Sequence, residues 1–399
     1  MVSSTNNAAS SSGKSNDSQN PRVMSIDALR GFDMFWIMGG DDFFALLLGA
    51  SSFAWAPALK EQLEHVEWQG FRFYDLIFPL FLFLVGCAIP FSLEKYRGAP
   101  GRVYARILRR TLLLIAMGLI YNQIQDLDWK NLRWMGVLQR IGICYGVTAF
   151  LFVQLKTKDL VALFVGILLA YWALMTLVPV PGGSAGLLTP SGNLSGYVDR
   201  TFLPGKILTQ YYGHGDNEGL LSTLPAVATT LLGVFSGVLL QSKLNPWGKA
   251  SVLALAGIVG VVAGEAWGSV FPIIKNLWTS SFVLYAGGWS MILLAVFYTL
   301  IDVIGWRSWA WIWVVIGANA ITIYLAQRFI PFEGISKFLF GGVASLSGNY
   351  KALVLAGGVL VIKWALLAYM YRHRIFLRFL VLLAVFSTIS CDFAIVARE

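Results

Sequence analysis

Long apolar runs dominate this sequence, and each is close to the length that crosses a lipid bilayer. A hydrocarbon core of roughly 30 Å requires about 20 apolar residues in an α-helix. The sequence therefore predicts an all-α, polytopic integral membrane protein with ten, or eleven, transmembrane helices. The ten predicted spans are 29–49, 74–92, 106–123, 134–154, 159–179, 220–240, 250–270, 280–301, 309–329 and 352–371. An eleventh run, 376–396, is apolar enough to span but begins soon after the tenth ends, so its crossing is left open.

Composition excludes several other classes of protein. Of 399 residues, 57% are apolar and 13% charged, which leaves a soluble domain nowhere to bury its apolar surface. Continuous runs, without alternation, also argue against a β-barrel. The formal charge of +9 is spread over short loops, so no nucleic-acid partner is expected. The three cysteines show no metal-ligand or disulfide spacing, and no metal is expected.

The chain divides into three parts. Residues 1–21 are rich in Ser and Asn without an apolar core, which predicts a disordered cytoplasmic tail and no cleaved signal peptide. Residues 22–375 form the predicted transmembrane domain. Residues 376–399 are an apolar C-terminal extension that contains the possible eleventh helix.

Loop charges predict the orientation. A cytoplasmic N-terminus places most Lys and Arg residues on one side and most acidic loop residues on the other, as the positive-inside rule requires. The loops expected outside are 50–74, 122–134, 180–219, 270–280 and 330–351. Long loops on one face of a bundle commonly carry function.

Charged residues near the first span are costly in a membrane and therefore informative. Asp27 and Arg30 are three residues apart, which allows a simple ion pair on one helix face. Asp41 follows Gly39-Gly40, where the helix can break and line a cavity.

His65 lies in a polar outer loop shortly before a span that begins with Asp75. A lone loop histidine is more often a solvated surface residue than a catalyst, but nearby carboxylates could orient this imidazole. Trp68 offers a flat face of the kind that stacks on sugars. Membership of an interfacial aromatic belt explains it equally well.

Four further stretches carry polar groups within or beside predicted spans. Each also has a structural explanation, such as helix-dipole complementarity for acids at a helix start or helix contact for an intramembrane Asn. A buried Arg pairs with an acid or meets a phosphate or carboxylate. The residues are Gln139, Arg140, Asp216, Glu218, Lys275, Asn276 and Asn319.

No phosphate-binding loop, dinucleotide fingerprint or serine elbow is present. An alternative to an enzyme is a proton-coupled permease for a sugar or glycan precursor, with Asp27, Arg30, Asp41 and Arg140 as its relay.

Six motifs in order resemble the heparan-α-glucosaminide N-acetyltransferase-like transmembrane acyltransferases, including bacterial homologues. They are SIDALRG, HVEWQGFRFYDLIFPLFLFLVG, GVLQRIG, DNEGLLSTLPA, KNLWTSSFVL and GANAITIYL, between about residues 22 and 375. The resemblance implies transfer of acetyl from cytosolic acetyl-CoA, a co-substrate, to an amino sugar or glycan across the membrane. A bacterial inner membrane, a periplasmic His65 loop and a homodimer follow as expectations.

The resemblance also distributes roles among the residues. His65 matches the family's active-site His and is expected to act as general base, oriented by Asp41 or Asp75; the rival scheme acetylates His65 first. Asp41 stands where the lysosomal enzyme has Asn. Acetyl-CoA would be bound by Arg30, Gln139, Arg140, Lys275, Asn276 and Asn319. The acceptor would meet Trp68, Asp216 and Glu218.

Overall fold

The computed structural model describes residues 23–96, 100–208 and 214–375. These ranges are helical and contain no β-strand; one isolated backbone bridge joins Arg133 and Gly205. The helices are α1 (Met24–Phe35), α2 (Asp41–Gly49), α3 (Ala56–Glu61), α4 (Ile77–Leu93), α5 (Pro100–Tyr121), α6 (Val137–Gln154), α7 (Thr157–Leu177), α8 (Leu194–Phe202), α9 (Thr223–Gln241), α10 (Pro246–Gly268), α11 (Ser280–Tyr298), α12 (Ala310–Ala318), α13 (Ala320–Phe329), α14 (Phe332–Leu346) and α15 (Lys351–Arg372). The predicted N-terminal tail and the run 376–396 lie outside the described residues.

The all-helical prediction is confirmed for the described residues, and each of the ten predicted spans contains helix. By length and composition, seven helices there can cross a membrane, or eight if the bent pair α12–α13 is one span. The predicted spans 29–49 and 106–123 do not qualify. The first is interrupted by a helix break, and α5 carries Arg102, Arg106, Arg109 and Arg110 in its first half.

The break predicted at Gly39-Gly40 is present between α1 and α2. A π-helical turn, Trp36–Gly40, joins the two helices, and Gly39 has φ +113°, a conformation that favours glycine. Lys363 Nζ on α15 donates to the Met38 carbonyl at 2.7 Å. The interruption therefore leaves a backbone carbonyl that a buried lysine satisfies.

The second break separates α12 from α13. The two helices meet at Asn319 with an angle of 66°. On the same element, Gly317 lets α12 pack closely on α1, because a Cβ atom there would lie 2.0 Å from the Asp27 carbonyl oxygen. A matching Gly31 on α1 faces the Trp313 carbonyl. This glycine pair fixes the broken span against the first helix.

Helix starts follow from local capping groups. Asn193 caps α8 by accepting a hydrogen bond from Gly196 N at 2.7 Å. Asn245 caps α10 in the same way, accepting from Gly248 N at 2.6 Å, with Pro246 as the first helical residue. Thr279 caps α11.

The most buried helices are α4 and α9. In their most apolar 18-residue segments 72% and 78% of residues are buried, against 22% in α10 and in α15. The two helices also pack against one another through Gly86 and Gly233. Asp75 precedes α4 and Asp216 precedes α9, so the chain segments that begin these central helices bring polar residues to one end of the bundle.

Candidate active site

His65 is paired with a buried carboxylate. Its Nδ1 atom lies 2.8 Å from Asp75 Oδ1, and Asp75 is only 1% exposed whereas the His65 side chain is 31% exposed. Asp75 Oδ2 accepts from the backbone N–H groups of Val66 and Arg72 at 3.3 and 3.1 Å. With Asp75 ionised, we assign the Nδ1–H tautomer from this hydrogen bond, which leaves Nε2 as a proton acceptor.

Lys275 completes a compact cluster with this pair. Its Nζ atom lies 2.9 Å from His65 Nδ1, 3.3 Å from His65 Nε2 and 3.2 Å from Asp75 Oδ1. Burial lowers the pKa of Lys275 from its usual value, and the Asp75 carboxylate offsets only part of that effect. The cluster thus combines a proton acceptor, a fixed carboxylate and a cation that releases its proton more readily than a surface lysine.

Two loops distant in sequence create this contact. Gly70 N donates to the Ile273 carbonyl at 2.9 Å, which joins the His65 loop to the segment before α11. That segment is held by Tyr171, whose hydroxyl donates to the Leu277 carbonyl at 2.5 Å, and by Trp278, whose indole N–H donates to Thr229 Oγ1 at 3.0 Å. Buried partners therefore hold Lys275 from both sides.

Aromatic rings flank the histidine. The Tyr74 ring centroid lies 4.8 Å from that of His65. Trp68 donates its indole N–H to the Leu188 carbonyl at 2.9 Å and packs on an apolar cluster that includes Tyr171 and Phe271. Trp68 therefore joins the His65 loop to the loop before α8, and its predicted contact with a sugar remains a prediction.

Arg133 binds the two acids predicted to meet the acceptor. Its Nε donates to Asp216 Oδ2 at 2.9 Å, and its Nη2 donates to Asp216 Oδ1 at 2.5 Å and also to Glu218. Asp216 is 1% exposed, so this pair is buried and bidentate. The ion pair gives both acids a structural partner.

Asp199 lies beside this ion pair and is 0% exposed. It accepts from the backbone N–H groups of Asp216 at 3.2 Å and Leu220 at 2.9 Å. Burial raises the pKa of Asp199 to about 6, although these hydrogen bonds oppose the change. A proton on Asp199 near neutral pH would therefore alter the loop that carries Asp216.

Arg140 is fully buried at the start of α6. Its Nη2 donates to the Gly219 carbonyl at 3.2 Å and to the Ser222 hydroxyl, and the guanidinium lies 5.1 Å from the Trp278 ring centroid. Its Nε and Nη1 atoms have no hydrogen-bond partner among the described residues. Gly219, Ser222 and Trp278 belong to the segments that build the His65 end, so Arg140 lies toward that end, and its predicted contact with acetyl-CoA stays a prediction.

Two other residues predicted to bind acetyl-CoA are also buried, and their side-chain hydrogen-bond donors are incompletely paired. Gln139 is 2% exposed and Asn319 is 4% exposed. In the described part of the chain, Gln139 Nε2 and Asn319 Nδ2 lack hydrogen-bond acceptors. Asn276, next to Lys275, is 7% exposed. Buried donors without partners are costly, so these positions favour a polar ligand or ordered water between the helices.

The structure does not bring Asp41 or Arg30 to His65. Asp41 begins α2, on the far side of the helix break, where its charge acts on Asp42 and Lys363. Arg30 Nη1 lies 3.4 Å from Asp27 Oδ1, the ion pair that the sequence spacing allowed. Of the two predicted orienting carboxylates, Asp75 contacts His65, and Asp41 belongs to another polar region.

Sequence reasoning missed two arginines that organise the site. Arg72 donates to the His65 carbonyl at 3.0 Å and to Glu61 Oε1 at 2.5 Å, and Arg133 binds Asp216 as described above. Both lie in loops that loop charge places outside, where basic residues are scarce. That departure from the positive-inside pattern was the available signal.

These features define an α-helical integral membrane protein that carries a His–Asp–Lys cluster in loops at one end of its bundle. Within 23–96, 100–208 and 214–375, no three His, Cys, Asp or Glu side chains group as metal ligands would. A family model described as "Domain of unknown function (DUF5009)" matches residues 22–186.

The chain is similar to heparan-alpha-glucosaminide N-acetyltransferase of Homo sapiens, with 27% identity over 89% of this chain and 60% of the human protein. The enzyme of the same name from Mus musculus is 26% identical over 78% of this chain and 56% of the mouse protein. The resemblance found in the motifs is thereby confirmed over most of the sequence. The chain spans less than two thirds of the length of these relatives.

Proposed function

We propose that this protein is a membrane-embedded acetyltransferase that moves an acetyl group from acetyl-CoA to the amino group of a sugar or glycan. The observation that carries the proposal is the cluster of His65, Asp75 and Lys275. The proposal is also supported by the similarity of this chain to two enzymes that are named heparan-alpha-glucosaminide N-acetyltransferase. The cluster supplies the base and the cation that amide formation from a thioester requires.

In the proposed reaction, the nitrogen of the neutral acceptor amine attacks the thioester carbonyl carbon. As the C–N bond forms, His65 Nε2 takes the proton that this nitrogen loses, and the C–S bond then breaks. The proton passes from His65 to the departing sulfur. Asp75 holds the imidazole and stabilises its positive charge, while Lys275 donates to the developing carbonyl oxyanion.

The alternative chemistry makes His65 the nucleophile. Its Nε2 atom would first accept the acetyl group and release CoA, and the amine would then attack the acetyl-imidazole. Incubation with radiolabelled acetyl-CoA and no acceptor distinguishes the two schemes. Label retained on wild-type protein but absent from His65→Ala supports the acetyl-enzyme, whereas no retained label supports direct transfer.

We propose that acetyl-CoA is bound by buried N–H groups between the helices. Gln139, Arg140 and Asn319 have N–H groups free to hold the thioester and its pantetheine arm, with Asn276 beside Lys275. Arg30 lies in α1, on the other side of the helix break from Asp41 and toward the end that loop charge places in the cytoplasm, and we place CoA phosphates near it. The acceptor meets Trp68 at the His65 end, with Asp216 and Glu218 shaping that loop through Arg133.

Membrane arrangement forms part of the same proposal. All ten predicted spans cross the membrane, the N-terminus is cytoplasmic and His65 faces the periplasm of a bacterial inner membrane. The homodimer implied by the family resemblance remains a prediction. Cysteine substitutions of the exposed residues Glu64 and Lys158, labelled by an impermeant maleimide in intact spheroplasts, test the orientation. The proposal requires labelling of the Glu64 position and not of the Lys158 position.

The activity is tested directly with purified protein. Acetyl-CoA with glucosamine, or a short oligosaccharide with a terminal glucosamine, should give an N-acetylated product and free CoA. Acetyl-CoA and CoA should raise the thermal unfolding midpoint, and acetate should not. Absence of product together with absence of stabilisation would contradict the proposal.

A proton-coupled permease is not favoured. Its proposed relay groups lie in separate places: Asp27 and Arg30 pair with each other, Asp41 lies beyond the break near Lys363, and Arg140 contacts Gly219.

A further inference from the structure

A cavity of about 900 Å³ lies apart from the His65 cluster, beside the broken first span. Its walls come from α2, the end of α13, the start of α14 and the middle of α15. None of His65, Asp75 and Lys275 lines it. The volume is within the range of small-molecule sites, so the cavity is large enough for a polar headgroup.

The charged lining favours an anion. Four basic side chains, Lys60, Arg328, Lys337 and Lys363, face two acidic ones, Asp42 and Glu333. The charges of Asp41, Asp42 and Glu333 act on Lys363 without a salt bridge, and no salt bridge within the described residues joins Asp42 or Glu333 to Lys60, Arg328 or Lys337. The first turn of α14 also lines the cavity, and its helix dipole adds positive potential.

The remaining lining and its surroundings are apolar. Leu46, Ile330, Phe332, Leu355 and Val359 contribute to the wall. Beyond the residues of α14 that line the cavity, this helix exposes apolar side chains, with Phe338 88% and Leu346 89% exposed. The predicted outer loop 330–351 that contains α14 connects two predicted spans, and an exposed apolar helix face beside the bilayer inserts among acyl chains at the interface. The cavity would therefore join a basic polar pocket to an interfacial helix.

We propose that this cavity binds the headgroup of an anionic phospholipid, one with net negative charge, with the acyl chains lying along α14. Lys337 and Arg328 at the rim meet the phosphate, because both are exposed and lie on either side of the break between α13 and α14. Lys363 forms the floor and remains bonded to the Met38 carbonyl. The proposal is independent of acetyl transfer, since it uses none of the residues assigned to that reaction.

The test is thermal unfolding of the full chain in a neutral detergent with added phosphatidylglycerol, phosphatidylcholine or glycerol 1-phosphate. Phosphatidylglycerol should raise the midpoint in a saturable way, and the other two should not. The double variant Arg328→Gln/Lys337→Gln should weaken the apparent affinity by about tenfold or more, as loss of two cations near an anionic headgroup implies. The matched control Lys158→Gln/Lys243→Gln, at exposed positions away from the cavity, should retain wild-type affinity.

Three results would overturn the proposal. Equal stabilisation by phosphatidylcholine would remove the role of charge, and equal stabilisation by glycerol 1-phosphate would assign the cavity to a soluble phosphate. Unchanged lipid affinity in the cavity double variant would place the lipid elsewhere. Native mass spectrometry of both double variants provides a second measurement that does not depend on their stability.

Discussion

The Nδ1 atom of His65 lies 2.8 Å from a carboxylate oxygen of Asp75, which is 1% exposed. This contact joins an exposed loop to the first turn before the central helix α4. Asp75 is itself held by two backbone N–H groups, so the imidazole is oriented by a group that cannot easily move. The other nitrogen, Nε2, lies 3.3 Å from Lys275 Nζ, and we propose that it accepts the proton of the acceptor amine.

Substitution of Asp75 by Asn should reduce kcat by about a hundredfold or more, because an amide permits the wrong imidazole tautomer. Thermal unfolding should change little relative to that loss, since Asn keeps one oxygen acceptor for the loop N–H groups. Glu67→Gln, an exposed change in the same loop, is the control and should retain activity. Wild-type kcat in Asp75→Asn would remove Asp75 from the mechanism.

Lys275 should give the reaction an alkaline limit. Burial lowers its pKa, so its ammonium loses a proton at a pH below the ordinary lysine value of 10.5. The protonated form is the donor, and activity should therefore fall as pH rises through that pKa. Lys275→Arg should shift this alkaline fall in activity, the alkaline limb of the pH–rate profile, to higher pH. Lys275→Met should lower kcat by about 10²- to 10³-fold.

The pH–rate profiles of wild type and Lys275→Arg, measured in parallel, check this prediction. Coincident alkaline limbs in the two profiles would show that a different group controls the decline.

Arg133 should matter for stability more than for chemistry. Its removal leaves Asp216 and Glu218 buried without their cation, which typically costs about 3–5 kcal/mol. Arg133→Met should therefore lower the thermal midpoint strongly. The triple variant Arg133→Met/Asp216→Asn/Glu218→Gln should recover part of the loss, because it removes the unpaired charges.

Thermal unfolding of the single and triple variants in one detergent is the measurement. A triple variant less stable than Arg133→Met would contradict the ion-pair explanation.

Asp199 should make stability depend on pH. Its folded pKa, about 6, exceeds the unfolded value of 3.8, so the folded state binds more protons between those values. The contribution of Asp199 to folding therefore falls as pH rises from about 4 to about 6. Fully developed, the difference is on the order of 3 kcal/mol.

Asp199→Asn removes this titration. As pH rises from about 4 to about 6, the thermal unfolding midpoint of the variant should rise relative to that of wild type. A difference between the two proteins that does not vary with pH would show that Asp199 does not titrate there.

Much of the fold could be predicted because apolar run length is a direct consequence of bilayer thickness. Each predicted span contains helix, and Gly39-Gly40 marked the first break. The number of membrane spans was harder to predict from the sequence. The arginines of α5 and the interruption after Phe35 make two segments poorer membrane spans than their apolar residues alone suggested.

The site was only partly predictable, because loop-to-loop contacts have no local sequence signature. Asp75 could be paired with His65 because they are ten residues apart. Lys275, which is 210 residues from His65, was assigned to the donor, and its contact with the histidine depends on the hydrogen bond between Gly70 and Ile273. Asp41 was proposed because it follows Gly39-Gly40 and because the family resemblance places a polar residue there; it begins α2, where its charge acts on Lys363.

A single-turnover assay of His65→Ala measures whether this histidine is the base in acetyl transfer. Enzyme in excess over radiolabelled acetyl-CoA, with saturating glucosamine acceptor, reports the transfer step alone. His214→Ala, at the other histidine of the described outer loops, is the control and should match wild type. Loss of the general base should slow transfer by about 10²- to 10⁴-fold while CoA still stabilises the protein. Retention of most of the wild-type rate by His65→Ala would show that His65 is not the general base.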